Sequence, residues 1–382
     1  MTTLTRHQLA PLKNWVRQSA IYQTGLTYAM TESAIKHAID LPSLRAPNNM
    51  KVHWGDHKRS LYEWIAVQQF GTGLHGMIYN DYDDDNDEDD DDDETIMKYT
   101  EILDVQCTNK YYYQTSDIVH FTRLFHLRKL NISCCGSYAT LRYLPNSIGK
   151  LINLRELDVS RHDICELPPS FAALIHLRVL CIERGNLSIF PTVLANCTKL
   201  RSLSLSGHQI QNLPPWVPDT LTQLRQLYLS GNPLYSLPDN FGNLIELGDL
   251  SLSDCHLSRL PDSFRNLTQL YELHIGYNQL NGLPDYFRHF TQLQHLSLRD
   301  FIHDELTEPI IPEWIGELTH LWWLDVSINN LTTLPPHIAH LPSNAHVEAD
   351  CNNISRLERQ RIRDMAPHVG FCFSNTTDPD DY

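Results

Sequence analysis

Apolar residues recur along this chain in one fixed phrase, L-x-x-L-x-L, then a polar turn, then L-x-x-L-P. Between Phe241 and Pro284 two copies lie end to end and match, at one constant offset, at Leu244/Leu267, Leu247/Leu270, Leu250/Leu273, Leu252/Ile275, Leu257/Leu280 and Leu260/Leu283. The middle leucine of the phrase falls at Leu130, Leu157, Leu180, Leu203, Leu227, Leu250, Leu273, Leu296 and Leu324, with Val347 in the last copy. The spacing of that leucine barely drifts from copy to copy, and only the steps into Leu157 and into Leu324 are clearly longer than the rest. A degenerate copy fits at Leu103 and Val105, as far before Leu130 as Leu130 is before Leu157, with Phe121, Leu124 and Leu127 leading into the next. A unit this short buries its apolar face only by stacking on its neighbours, so the pattern predicts an array of ten or eleven repeats.

Position within the unit predicts structure. Alternation in L-x-x-L-x-L predicts a short parallel strand with its leucines inward and the intervening residues outward. The turn that follows carries Asn232, Asn278, Asn329 or Asn352, whose amides can bond free backbone groups of neighbouring coils. Proline at Pro145, Pro168, Pro191, Pro214, Pro238, Pro261, Pro284 and Pro335 ends strand pairing. Segments such as DSFRNLTQL then return on the outer side as a short helix or 3₁₀ turn. The predicted fold class is α/β, a solenoid with a curved parallel sheet on its concave face and helical turns on its convex face. Strands about 4.8 Å apart give an inner face roughly 45 to 50 Å long.

The flanks lack the repeat. Residues 1–80 contain HQLAPLKNWVRQSAIYQ, TESAIKHAIDLP and KRSLYEWIAVQQFG, which read as helices that would cover the open apolar end of the array. Residues 81–96 hold an acidic run that cannot bury enough apolar surface to order itself and reads as a disordered linker. It is a solubilising spacer, or a dock for a basic partner or weakly held calcium. The repeats occupy 97–353. Residues 354–382 read as a closing helix, with Ile354, Leu357, Ile362 and Met365 inward and Arg356, Arg359, Arg361 and Arg363 outward, followed by a tail from Phe371.

Charge sharpens this picture. The formal net charge is −16 over 382 residues, but 12 acidic residues lie between Asp81 and Glu94, and without them 34 acidic groups face 30 basic ones. The acidity argues against nucleic acid as partner, since phosphate binding needs clustered Lys and Arg. No stretch is apolar enough to span a membrane, and the first residues lack the apolar core of a secretory signal. Nine scattered cysteines, with Cys135 and Cys255 on the turn position and Cys197 in an apolar slot, read as buried thiols in a reducing, cytoplasmic setting.

Candidate chemistry is sparse. No phosphate-binding loop, nucleophile elbow, H-E-x-x-H or C-x-x-C motif occurs, so neither enzyme nor cofactor is expected. His53, Asp56 and His57 have metal-like spacing without a third placed ligand, so no metal is expected there. What remains is the inner face. Arginines at the first outward position, such as Arg155, Arg178, Arg201 and Arg225, recur as consensus and are discounted. Tyr228, Tyr271, Tyr277, Trp322 and Trp323 are not demanded by any core, and His274 and His295 stand among them. Aromatic residues beside Asp249, Glu272 and Asp325 form the composition of a protein-binding hot spot for a basic partner. The plain alternative is an idle solvated face. The long repeat that ends at Leu324 must also bulge within RDFIHDELTEPIIPEWIG, as a partner's grip or as simple length drift.

The unit LPNSIGKLINLRELDVSRHDICELPPSF resembles the 23-residue L-P-x-x-I-G-x-L-x-x-L-x-x-L-x-L repeats of intracellular Ras-group leucine-rich-repeat proteins, over about residues 97–355. That resemblance implies a right-handed solenoid that binds proteins on its concave face, as a scaffold or adaptor in intracellular signalling. Other roles from different classes are a substrate-reading or autoinhibitory module for an activity in residues 1–80, or a pathogen effector acting on a host protein. The turn asparagine is replaced by His162, Gly185, His208 or Phe301 in several units.

Overall fold

The computed structural model describes residues 126–134, 141–280, 282–301 and 311–374, and residues 52–53 and 102–106 as strand backbone only. The expected N-terminal helices, the acidic run, Cys135, most of the bulge of the long repeat and the end of the chain beyond Ser374 lie outside the described residues. The chain divides into two compact units, Met1–Gly185 and Asn186–Tyr382.

Both units are leucine-rich-repeat solenoids built from parallel strands in sequence order. The first contains β1 (Val52–His53), β2 (Ile102–Gln106), β3 (Lys129–Asn131), β4 (Glu156–Asp158) and β5 (Val179–Cys181). Leu103, Leu130, Leu157 and Leu180 stand in register across them, so the degenerate copy at Leu103 is a true strand. β1 pairs with it through Val52 and Val105, a strand that the helical reading of 1–80 does not contain. The second unit holds β6 (Ser202–Ser204), β7 (Gln226–Tyr228), β8 (Asp249–Ser251), β9 (Glu272–His274), β10 (His295–Ser297), β11 (Trp323–Asp325), β12 (His346–Glu348) and β13 (Gly370–Cys372). There the central row runs Leu203, Leu227, Leu250, Leu273, Leu296, Leu324, Val347, Phe371. The leucines of this row and Val347 are fully buried, which is why a slip by one residue, turning them to solvent, is excluded.

After each strand from β4 to β12 the chain turns through a left-handed residue four positions beyond the middle apolar one. Arg161 and Arg184 take this role in the first unit, and Gly207, Gly231, Asp254, Tyr277, Asp300, Ile328 and Cys351 in the second. The next residue closes the turn against the preceding coil. Asn278 donates from Nδ2 to the carbonyls of Leu252, Ile275 and Gly276 at 2.7, 2.9 and 3.1 Å, and its Oδ1 accepts from the amides of Cys255 and Leu257 at 3.2 and 2.9 Å. Asn232, Asn329 and Asn352 make the same kind of bridge. At three positions without asparagine the substitute keeps part of its chemistry. His162 Nε2 reaches the Ile132 carbonyl at 2.7 Å, His208 Nδ1 accepts from the Leu187 amide at 3.0 Å, and the Cys255 thiol donates to the Leu229 carbonyl at 3.3 Å.

The return segments are 3₁₀ turns, such as Pro169–Ala173, Asp262–Asn266 and Asp285–His289, apart from α1 (Trp216–Thr220). Most of the 3₁₀ turns begin from an extended proline, as at Pro261 with φ −68 and ψ 152, whereas Phe241–Asn243 begins from Asn240. One inward residue per turn fills the convex side; Phe241, Phe264 and Phe287 stack at 5.9 and 6.0 Å. Gly242 follows Phe241 because any side chain there would run into the Ser263 carbonyl of the next coil.

The C-terminal end departs from expectation in two ways. Helix α2 (Arg356–Met365) forms, with Ser355 accepting the Glu358 amide at its N-cap, but its phase is rotated. Leu357 is 83% exposed, whereas Arg359 is buried with Nε donating to the Ile354 carbonyl at 2.9 Å. Ile354 and Ile362 are buried as expected. Beyond it, the expected tail from Phe371 instead enters β13, which continues the sheet alongside β12.

Two outcomes follow from the turn chemistry. Asn278→Ala leaves several buried peptide groups unpaired and should lower the unfolding free energy by about 3 kcal/mol in urea titration. His162 is buried, which lowers its pKa from 6.5, partly opposed by its bond to the Ile132 carbonyl. The unfolded chain therefore binds the proton first, so this contribution to stability is complete above about pH 6.5 and is lost as pH falls through that value. Unfolding at pH 7.5 and 5.5 should show that loss, and His162→Asn should remove most of it.

Candidate functional site

In the second unit, register decides which outward side chains meet. Gln226, Asp249, Glu272, His295, Trp323 and His346 form one row across β7 to β12, and Tyr228, Ser251, His274, Ser297, Asp325 and Glu348 form the row two residues on. Tyr271 and Trp322 immediately precede β9 and β11. Sequence spacing alone thus brings all ten expected site residues onto or beside five adjacent strands.

At the centre is a pair of carboxylates in unlike settings. Asp249 is buried, and its Oδ2 accepts a short hydrogen bond from the Tyr228 hydroxyl. Burial pushes the Asp249 carboxyl above its ordinary value, with the Tyr228 bond opposing the shift. Burial and the same carboxylate push the Tyr228 phenol upward. Asp249 Oδ1 is buried with no donor among the described residues. Glu272, on the next strand, lies 2.8 Å from His274 Nε2 and 3.5 Å from His295 Nδ1. Burial alone would raise its pKa, but the two imidazoles together outweigh burial and hold it below 4.5.

Aromatic rings border this pair. Tyr271 is 39% exposed, and its ring lies on Gly248, where a Cβ would meet the ring at 2.5 Å. Trp322 is equally exposed and meets His295 edge-on at 4.2 Å between centroids, and Trp323 stands 5.9 Å from His295 and 6.5 Å from His274. His295 Nε2, like Asp249 Oδ1, is buried without a partner among the described residues. Tyr277 occupies the left-handed turn position and accepts from Arg299 Nε at 2.7 Å, at the edge of the group.

Asp325 differs from the other expected residues. It is buried, its Oδ1 accepts the Ser327 amide at 2.9 Å, and its Oδ2 lies 3.5 Å from Ser297 Oγ. Asp158 treats Ser160 in the same way, so an acidic residue here terminates a strand. Trp322, Tyr271, Tyr277 and Glu272 are accessible, whereas Asp249 and Asp325 are buried.

The first unit contains a depression of about 300 Å³ lined by His126, Arg128, Asn153, Arg155 and His176. Sequence reading passed over it because its arginines recur at one repeat position; the signal was the pair of histidines two residues before Arg128 and Arg178. Among the described residues no group of three His, Cys, Asp or Glu side chains could hold a metal ion, and the side chains of His53, Asp56 and His57 lie outside them. Cys197 and Cys255 are buried and unbridged, and burial pushes each thiol up to about 12.

A family model described as a leucine-rich repeat region matches residues 97–214 and 218–311. No curated protein sequence matches the chain. Among solved structures, a TDR receptor is similar at 23% identity and TM-score 0.59, over 75% of this chain and 48% of its own. The functional domain of InlJ from Listeria monocytogenes, which includes a cysteine ladder, is similar at 17% identity and TM-score 0.55, over 74% of this chain and 55% of its own. A leucine-rich-repeat protein from Leptospira interrogans is similar at 20% identity and TM-score 0.49, over 85% of this chain and 100% of its own. The chain thus spans about half the length of the first two. These likenesses concern the fold.

The opposed influences on Glu272 give a measurable reversal. With His274→Gln and His295→Gln together, burial is left as the dominant influence and the carboxyl should titrate above 4.5 instead of below it, as read by carboxyl-carbon NMR. In the unaltered chain the stability from this cluster is present above the unfolded value and is lost as pH falls through the depressed one.

Proposed function

The chain belongs to the leucine-rich-repeat family, and from that premise we propose that it is a non-enzymatic scaffold that holds a protein partner against the concave face of its second unit. The reading rests on one coincidence, that exposed Tyr271 and Trp322 flank two carboxylates on adjacent strands, one of which keeps an acceptor oxygen without a donor among the described residues. Aromatic rings supply contact area at little cost in side-chain entropy, and half-buried carboxylates reward a desolvated lysine or arginine. The partner therefore presents a basic side chain between Tyr271 and Trp322. Buried free thiols at Cys197 and Cys255 and the Ras-group spacing of the repeats support a place in intracellular signalling. Among the described residues no helix is long and apolar enough to cross a membrane.

The test is capture of proteins from a lysate of the source cells by the full chain. Trp322→Ala with Tyr271→Ala should weaken retention of a specific partner by about 30-fold, the worth of one hot spot near 2 kcal/mol. Asp249→Asn with Glu272→Gln should weaken it less and abolish its salt sensitivity. A partner retained equally by all variants would show that this face is not the site.

A further inference from the structure

The concave cluster is built without a fixed cation. In the row of first outward positions Arg201 and Arg225 give way to Gly248, Tyr271, Gln294 and Trp322, each amide donating to the carbonyl of the residue before it in the row. The two rows beside it, on β7 to β12, contain the carboxylates of Asp249, Glu272, Asp325 and Glu348 and the imidazoles of His274, His295 and His346, with no lysine or arginine. The guanidinium groups at the margin are engaged elsewhere, Arg225 with Glu246 at 3.3 Å and Arg299 with the Tyr277 hydroxyl at 2.7 Å. Positive charge therefore enters these rows only on an imidazole or on a partner. Two of the imidazoles are aimed at one carboxylate oxygen: His274 Nε2 stands 2.8 Å and His295 Nδ1 3.5 Å from the same Oε1 of Glu272. His346 faces Glu348 instead, at 3.9 Å. Neutral rings orient Glu272 and leave it its charge, which draws a lysine or arginine to the face. Protonated rings pair with Glu272 within the wall itself and repel the same incoming cation.

We propose that His274 and His295 form a proton switch that releases the basic partner from Glu272 as pH falls from about 7.5 to about 5.5, the interval in which imidazoles change charge. The inference rests on the reading of the concave face as the seat of a basic partner. The other groups that face the two rings do not reverse its sign. The imidazoles hold Glu272 below 4.5, so it stays ionised throughout this interval. The phenols of Tyr228 and Tyr271 are pushed upward, chiefly by burial, and stay neutral. Burial raises Asp249, and a proton taken up there removes negative charge and adds to the release. A proton on Asp325 or Glu348 would act in the same direction, and Arg299 keeps its charge throughout.

The test is a titration of the full chain, labelled with fluorotryptophan, with a glycine-serine peptide that carries one arginine, a base that does not itself titrate in this interval. Fluorine NMR reads the Trp322 resonance, assigned by its loss in Trp322→Phe. At pH 7.5 that resonance should shift saturably, and at pH 5.5 the dissociation constant should be about tenfold higher. With His274→Gln and His295→Gln together, the constants at the two pH values should agree within threefold. His346→Gln should keep the full ratio, because its ring faces Glu348. Circular dichroism at both pH values confirms that the chain and its variants are folded. A ratio below threefold in the unaltered chain, a larger ratio that persists in the double variant, or its loss in His346→Gln overturns the switch and leaves the concave face as a docking site. Failure of the peptide to shift the Trp322 resonance at pH 7.5 would overturn the basic-partner reading and the switch with it.

Discussion

A coil of this protein must bury a turn whose peptide groups have no strand to pair with, and in the second unit Asn232, Asn278, Asn329 and Asn352 each satisfy such groups in the coil before their own. Asn278 alone joins five backbone groups. An unpaired buried peptide group costs about 1 to 3 kcal/mol, so the residue at this position sets how closely successive coils approach and in what register. The leucine rows supply most of the burial, yet leucine is indifferent to small slips, and the amide bridge is not. That fixed register brings Asp249, Glu272 and His295 side by side. The concave cluster therefore depends on a turn that it touches only at its edge, through Tyr277.

The repeat was legible because a buried leucine returning at a nearly constant period leaves an unmistakable trace, and each middle leucine named from sequence is a strand centre. What escaped had lost the leucine. β13 has Phe371 in the central row, with Ala366, Val369 and Phe373 buried around it and no leucine among them. The phase of α2 escaped for a different reason, since Arg359 buries its stem and bonds the Ile354 carbonyl, while Leu357 stays outside. Charge suggested the reverse, because a single sequence does not say which carbonyl needs a donor. The return segments, left open between helix and 3₁₀ turn, tighten to 3₁₀ in almost every coil.

For the concave face, alternation told which side chains point outward but not what they do on arrival. Asp325 and Glu272 both take outward places in the pattern; one is tied to the Ser327 amide and the other is held by two imidazoles. The difference comes from residues two positions along and one coil away, a distance no local pattern spans. The discounted arginines make the converse case, for residues that recur by consensus can stand in unlike surroundings. Arg225 meets Glu246, while Arg155 adjoins only basic and neutral groups of its depression.

The bridging side chains all reach in one direction, from a coil to the one before it, and so the second unit has a polarity like that of a zipper. Asn352 closes the turn that contains Asn329 and Leu331. Removing coils from the leading end would free side chains that water can still serve, whereas removing them from the trailing end would expose a turn with no one left to close it. Under a pulling force applied at the two ends, coils would then yield from the C-terminal side, each loss unlatching the one before.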